Sequence, residues 1–403
     1  MRRIDPALLV VVAGVSAALH VGKLPTAIPV LRETLGVTLL QAGFLLSLVQ
    51  LAGMALGIAV GLAADGLGLK RTMVTGLVIL SGASFLGGWA GDAGTLMMLR
   101  AVEGLGFLLA SMPAPGLIRR MVDGERLSAS LGLWGAYMPF GTAVALLCGP
   151  IAIAAIGWQG WWWLLASLSF VAAGGLWSAL PSDDDFSPAH AGTVPAGWLD
   201  RLRRTLTARG PWLVALCFAM YSAQWLAVIG FLPSVYAQSG LSAGLAGAAT
   251  ALAAAVNIGG NIASGRLLQH GAPPHRLLYA GFVVMGLAGI VAFAPALSGV
   301  DARLAAAVRY AAVLAFSMVG GLIPGTLFSL AVTLAPDEQT VSTTVGWMQQ
   351  WSAAGQLAGP PLVAWVATLT GGWEWSWWVT GGCALAGLGI AALIGRMERA
   401  QSR

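Results

Sequence analysis

Apolar residues run in long blocks along this chain, and polar residues gather in the gaps. The blocks fall near 7–29, 39–63, 72–91, 95–117, 128–151 and 160–180. After a polar stretch over 181–210 they resume near 211–236, 242–265, 276–297, 304–330, 342–368 and 375–395. About 20 apolar residues suffice for a helix to cross the hydrocarbon of a bilayer. The pattern therefore predicts an all-α membrane protein of twelve transmembrane helices in two six-helix bundles. The expected organisation is an N-terminal bundle over 1–180, a cytoplasmic linker over 181–210, and a C-terminal bundle with a short cytoplasmic tail over 211–403.

Composition agrees. Of the 403 residues 58% are hydrophobic and 9% charged, where a soluble domain carries roughly 25% charged. So few charges cannot coat a globule in water, but they can coat the two ends of a bundle whose sides meet lipid. The 55 glycines and 17 tryptophans suit membrane helices and the lipid–water boundary. Met1-Arg2-Arg3 before an apolar run resembles a signal peptide, yet the run reaches about Pro29, long enough to span, and is read as a retained first helix. Cys148, Cys217 and Cys383 lie singly in apolar runs, with no CxxC spacing, so neither a disulfide framework nor a metal site is expected.

Basic residues set the orientation. Arg2, Arg3, Lys70, Arg71, Arg119, Arg120, Arg126, Arg201, Arg203, Arg204, Arg209, Arg266, Arg276, Arg396, Arg399 and Arg403 fall on one side, and Arg32 and Arg303 on the other. The positive-inside bias places both termini in the cytoplasm of a multi-pass inner-membrane protein. Topology explains the net charge of +5 without nucleic acid. In the linker, Leu199–Leu206 has the pattern of a short amphipathic helix lying on the membrane surface.

The halves repeat each other. Pro115-Gly116 matches Pro324-Gly325, Gly149-Pro150 matches Gly359-Pro360, and Gly157-Trp158-Gln159-Gly160-Trp161-Trp162-Trp163 matches Gly372-Trp373-Glu374-Trp375-Ser376-Trp377-Trp378. Both tryptophan clusters are expected to form interfacial belts. Parallel repeats of this kind place a substrate site at the repeat interface and work by alternating access.

The gap between spans 2 and 3 reads Gly61-Leu-Ala-Ala-Asp65-Gly-Leu-Gly68-Leu-Lys70-Arg71, and span 4 carries Arg100-Ala-Val-Glu103-Gly104-Leu-Gly106. On these motifs the chain resembles the major facilitator superfamily over essentially its full length. The resemblance implies that Gly61, Asp65, Gly68, Lys70 and Arg71 form a gating loop and that Arg100 faces the cavity. The loop departs from the family pattern at Gly66 and Leu69, where a basic residue is common. Gly149-Pro150-Ile-Ala-Ile-Ala keeps the Gly-Pro of the drug-exporter motif and lacks its following glycines. Tyr221 to Trp225 and Phe231 to Ser234 resemble the cyanate-permease-like branch.

Ionisable residues at membrane depth are costly and usually face the protein interior or a water-filled cavity. Here they are His20, Lys23, Arg100, Glu103 and Arg309. Arg100 and Arg309 each precede a repeat proline by the same interval, so the repeat relates them. With Lys23 they would form a cationic cluster for a carboxylate, since guanidinium grips oxyanions bidentately. The alternative is that all three reach for headgroups. Glu103, one turn beyond Arg100, either neutralises it or carries the proton; His20 is the second proton candidate, or a packing residue. Tyr137, Tyr221, Gln224 and Gln350 are the expected neutral substrate contacts.

The reading is a secondary transporter, a monomer, for a small anionic organic solute, coupled to protons. The alternative is proton-driven efflux of an amphipathic drug or metabolite. No cofactor and no metal is expected: Met and His lack a copper-binding spacing, and no enzyme motif such as His-Glu-x-x-His is present.

Overall fold

The computed structural model describes residues 5–122, 130, 133–183, 197–294 and 301–401, with the side chains of 61–67 and 400–401 left out. Among the described residues all regular structure is helical: α1 (Pro6–Leu35), α2 (Leu39–Ser47), α3 (Leu51–Leu67), α4 (Leu69–Gly87), α5 (Ala93–Ser111), α6 (Ala114–Met121), α7 (Tyr137–Ala179), α8 (Trp198–Thr207), α9 (Arg209–Gln238), α10 (Ala243–Gln269), α11 (Pro274–Phe293), α12 (Ala302–Gly320), α13 (Leu322–Thr333), α14 (Val341–Thr370) and α15 (Trp377–Gln401). Short 3₁₀ turns, Leu48–Gln50 and Glu338–Thr340, precede α3 and α14.

Local sequence accounts for the ends. Asp5 caps α1 through Ala7 N at 2.9 Å, and the helix runs past Pro25 and Pro29 to a left-handed stop at Gly36. It is therefore longer than the apolar block predicts, because Leu31 still packs inside although Arg32, Glu33 and Thr34 are exposed. Helix α7 holds 43 residues, about 65 Å at 1.5 Å per residue, which is twice the hydrocarbon thickness. Gly157 breaks it with φ +74° and ψ 169°, a conformation other residues rarely adopt.

Among the described residues ten helical stretches are long and apolar enough to cross a membrane, α7 being one of them. Helix α14 is 30 residues long and lies outside that set; it carries Thr343, Thr344, Gln349, Gln350 and Gln356.

The chain forms two compact units. Unit 1 holds Met1–Thr38, Leu48–Pro195 and Tyr236–Ala251; unit 2 holds Leu39–Ser47, Ala196–Val235 and Leu252–Arg403. In unit 1, α4 and α5 approach to backbone contact: a Cβ on Gly106 would lie 2.7 Å from Gly76 O and 2.8 Å from Leu80 Cα. Gly104 admits the backbone of Val49 in the same way. Small residues at such crossings are how membrane helices gain dispersion contact without a hydrophobic driving force. Gly106 thus brings α5 against α4, and Gly104 brings it against the turn before α3. In unit 2, α2 lies along α14, where Gly43 leaves room for Pro360, Pro361 and Ala364. The expected amphipathic helix is present as α8, tied down by Arg204, which reaches Asp200 and Asp337 at 2.7 Å each.

Candidate functional site

Four helices of unit 1 bring one charged cluster together. Lys23 of α1 places its Nζ 2.5 Å from Glu103 Oε1, 2.9 Å from Ser84 Oγ and 3.3 Å from His20 Nδ1. The same ammonium lies 4.5 Å from the centre of the Trp162 ring. Arg100, one turn before Glu103 on α5, donates to Glu103 Oε2 at 2.6 Å and to the His20 carbonyl at 2.7 Å. Glu103 therefore holds a cation on each oxygen. Ser84 in turn donates to the Trp162 carbonyl at 3.1 Å. The cluster is sealed: His20 and Lys23 are 0% exposed, Glu103 1% and Arg100 2%. Burying such charges requires counter-charge in direct contact, since the desolvation of each ion is worth several kcal/mol.

With Lys23 as an ammonium, the geometry assigns roles to the two ring nitrogens of His20. An ammonium has only donors, so Nδ1 accepts. A neutral ring then carries its proton on Nε2, which donates to Ser169 Oγ at 2.9 Å.

The sequence set Lys23 with Arg100 and Arg309, paired Glu103 with Arg100 and named His20 by itself; the structure joins Lys23, Arg100, Glu103 and His20. Arg309 is half-buried on α12, in unit 2. Tyr137, at the start of α7, stacks on Trp134 at 4.1 Å. Tyr221 accepts from Asn257 Nδ2 at 3.0 Å. Gln224 is fully buried on α9, its Nε2 donating to Met220 O at 3.1 Å while its Oε1 meets no hydrogen-bond partner among the described residues. Gln350 is half-buried on α14. Tyr221, Gln224 and Gln350 all belong to unit 2.

Sequence reasoning missed Ser84, Ser169 and Trp162, which complete the cluster from α4 and α7. Single serines in apolar spans carry no signal that separates them from helix-packing serines. The first tryptophan cluster is also corrected: Trp158, Trp161 and Trp162 are buried, not a belt, because Trp162 covers an ammonium held away from water. In the second cluster Trp375 and Trp378 are exposed as expected, whereas Trp373 is buried against Phe231.

At the other end of α4, Gly68 turns with φ +90°. Asp183 sits in the space its missing Cβ leaves, and accepts from the backbone N–H groups of Lys70 and Arg71 at 3.0 Å each. Lys70 Nζ donates to Leu180 O at 2.6 Å and lies 5.2 Å from the Trp177 ring. The turn is thus anchored to the end of α7 by a residue that reads, in sequence, as linker. The side chain of Asp65 lies outside the described residues, and Gly61 lies on α3.

The sequence profile of the Major Facilitator Superfamily matches residues 7–354. The chain belongs to the major facilitator superfamily. It is accordingly a multi-pass membrane transporter and not an enzyme. The fold agrees with solved members: a bacterial homolog of the human lysosomal transporter Spinster, in an inward-facing and occupied conformation, superposes with TM-score 0.76 at 16% identity, covering 97% of this chain and 96% of that one. The unoccupied form of that homolog gives TM-score 0.74 over the same shares. The puromycin resistance protein pur8 of Streptomyces alboniger is 34% identical over 136 residues, 33% of this chain and 27% of that protein. An uncharacterized MFS-type transporter of Mycobacterium tuberculosis is 30% identical over 95 residues, 24% and 16% of the two chains. The matched stretches thus span less than a third of either relative.

Proposed function

We propose that this chain is a twelve-pass transporter of the cell inner membrane that carries a small anionic organic solute together with protons, by alternating access. Twelve passes follow if α7 crosses twice and α14 once, and the positive-inside distribution then leaves both termini in the cytoplasm. The bundles are 1–180 and 211–403, joined through 181–210, and the working form is a monomer in lipid. Gly61, Asp65, Gly68, Lys70 and Arg71 form the gating turn.

The observation that carries the anionic reading is the buried cluster, in which two cations, Lys23 and Arg100, share the single carboxylate of Glu103. A second anion would relieve that imbalance, and a guanidinium beside an ammonium is a natural receptor for a carboxylate. The cluster is closed here, so the solute reaches it only when the surrounding helices part. Tyr137, Tyr221, Gln224, Arg309 and Gln350 are the further contacts, with Glu103 and His20 in the proton path.

A second reading, proton-driven export of an amphipathic compound, draws on the partial match to a puromycin resistance protein and on the aromatic group Trp212, Trp347 and Trp351 in unit 2. A thermal-shift screen of the purified protein separates the two. Small organic anions, lipophilic cations and uncharged aromatic compounds are added at an acidic and an alkaline pH. The first reading expects stabilisation by anions, stronger in acid and lost in Arg100→Ala. Stabilisation by lipophilic cations alone would transfer the case to export, and indifference to pH would remove the proton roles.

A further inference from the structure

We infer that the proton carried by the buried cluster resides on Lys23, with Glu103 as its permanently ionised counter-ion and His20 as its exit. The inference rests on the proton-coupled reading above and moves the titrating role within it from Glu103 to Lys23.

The first argument is electrostatic. Glu103 bonds Lys23 with one oxygen and Arg100 with the other. Protonating Glu103 would strip the shared carboxylate from two cations in a low-dielectric interior, an arrangement far worse than a broken pair. Deprotonating Lys23 leaves the Arg100–Glu103 pair intact and the cluster uncharged. A solute anion arriving with a proton restores neutrality from the other direction: charged Lys23 and Arg100 then face Glu103 and the anion. In both states the ionised groups balance, which is what a helix bundle reorganising in hydrocarbon requires.

The second argument is the choice of residue. The chain holds 21 basic Lys and Arg residues, and just two are lysines, Lys23 and Lys70. Arginine serves everywhere else that a permanent charge is wanted. Lysine is the cation that can release its proton inside a protein, and arginine is not. Lys23 is the deeper of the pair, enclosed by α1, α4, α5 and α7. The charged groups facing it are Arg100 and Glu103 of α5. Helix α4 presents Ser84 and α7 presents Trp162, and the basic residues of α6, Arg119 and Arg120, are exposed in its last turn.

The exit follows the hydrogen bonds. One Nζ–H bond breaks and its electron pair stays on nitrogen. The proton passes to His20 Nδ1 while the Nε2 proton leaves toward Ser169 Oγ, and water is the final base. The neutral amine keeps Ser84 as a partner, whose hydroxyl can turn to donate to the new lone pair.

Two lysines make the test direct. The full chain is labelled with ¹³Cε-lysine in lipid nanodiscs, and Lys70→Arg assigns the remaining signal to Lys23. The expected result is a shift of that signal from the ammonium to the amine position between about pH 5 and about pH 10. A signal that stays at the ammonium position wherever the chain remains folded overturns the inference, as does carboxyl protonation of Glu103 over the same range. If anion uptake into proteoliposomes follows an imposed proton gradient while Lys23 stays charged, the transport reading stands and this assignment falls. If Lys23 titrates while uptake ignores the gradient, the assignment stands and proton coupling falls.

Discussion

Helices α5 and α12 are built to one plan and filled with different chemistry. Each is 19 residues long, each starts from a capping aspartate, Asp92 or Asp301, and each carries an arginine at its eighth position, Arg100 or Arg309. One turn further on, α5 has Glu103 and α12 has Ala312. That single difference sorts the interiors. In unit 1 the acid draws Arg100 inward and recruits Lys23 from α1. In unit 2 the fully buried polar network is neutral among the described residues: Trp225 donates to Ser317 Oγ at 3.1 Å, and Asn257 donates to Ser317 O at 2.8 Å and to Tyr221. The repeat preserves helix length and caps, while among the described residues the fully buried charged cluster lies in unit 1; the His275–Glu398 pair of unit 2, 2.5 Å apart, is only partly buried. A buried charge demands counter-charge close at hand, whereas a neutral network needs only hydrogen bonds.

The sharpest way to break the comparison is to remove the acid. Glu103→Gln leaves Lys23 and Arg100 buried without their shared counter-charge, and should cost about 3 to 5 kcal/mol. Lys23→Met leaves Arg100 and Glu103 paired and should cost less, about 1 to 3 kcal/mol, for the partners lost by Ser84 and His20. Thermal unfolding of the purified variants in one detergent ranks them. If Lys23→Met proves the more damaging, Glu103 is not the keystone of unit 1.

Unit 2 offers the matching experiment. Asn257→Ala deletes three side-chain hydrogen bonds between uncharged groups, to Tyr221, Ser317 and Asn261, and the expected loss is about 1 to 2 kcal/mol, smaller than for Glu103→Gln. The same unfolding assay applies. A loss as large as that of the acid would mean that neutral and charged interiors do not differ in what they demand.

How far sequence carried this picture depends on the range of each contact. Helix blocks were legible because a bilayer imposes length and apolarity residue by residue. The Arg100–Glu103 pair was legible because three residues along a helix share a face. Lys23 and Glu103 meet across 80 positions, and nothing in either neighbourhood announces the other; depth in the membrane made both candidates without pairing them. Ser84, Ser169 and Trp162 were illegible because their roles depend on which face of α4 and α7 turns toward α1. Asp183 misled for the same reason: it sits at the edge of a polar stretch, and only the docking of the α7 end onto the Gly68 turn makes it a cap.

The caps themselves sharpen the comparison at its smallest scale. Asp92 accepts from Thr95 twice, from the backbone N–H at 2.9 Å and the hydroxyl at 2.6 Å. These bonds, the hydroxyl foremost, hold its carboxyl below the usual carboxylate range. Asp301 accepts two backbone N–H groups, from Arg303 and Leu304, and position 304 supplies no hydroxyl. A lowered folded value means that Asp92 contributes stability above the ordinary carboxylate range and loses it as pH falls through the lower folded value. In Asp92→Asn that acid-side loss disappears. The unfolding temperature measured from neutral to acid pH should therefore fall less steeply in Asp92→Asn than in the parent. Thr95→Val isolates the hydroxyl: it should bring the Asp92 acid limb toward ordinary carboxylate behaviour while leaving the backbone cap in place. An unchanged acid limb in both variants would show that the exposed cap is already satisfied by water, and that the two helix starts are equivalent despite their different partners.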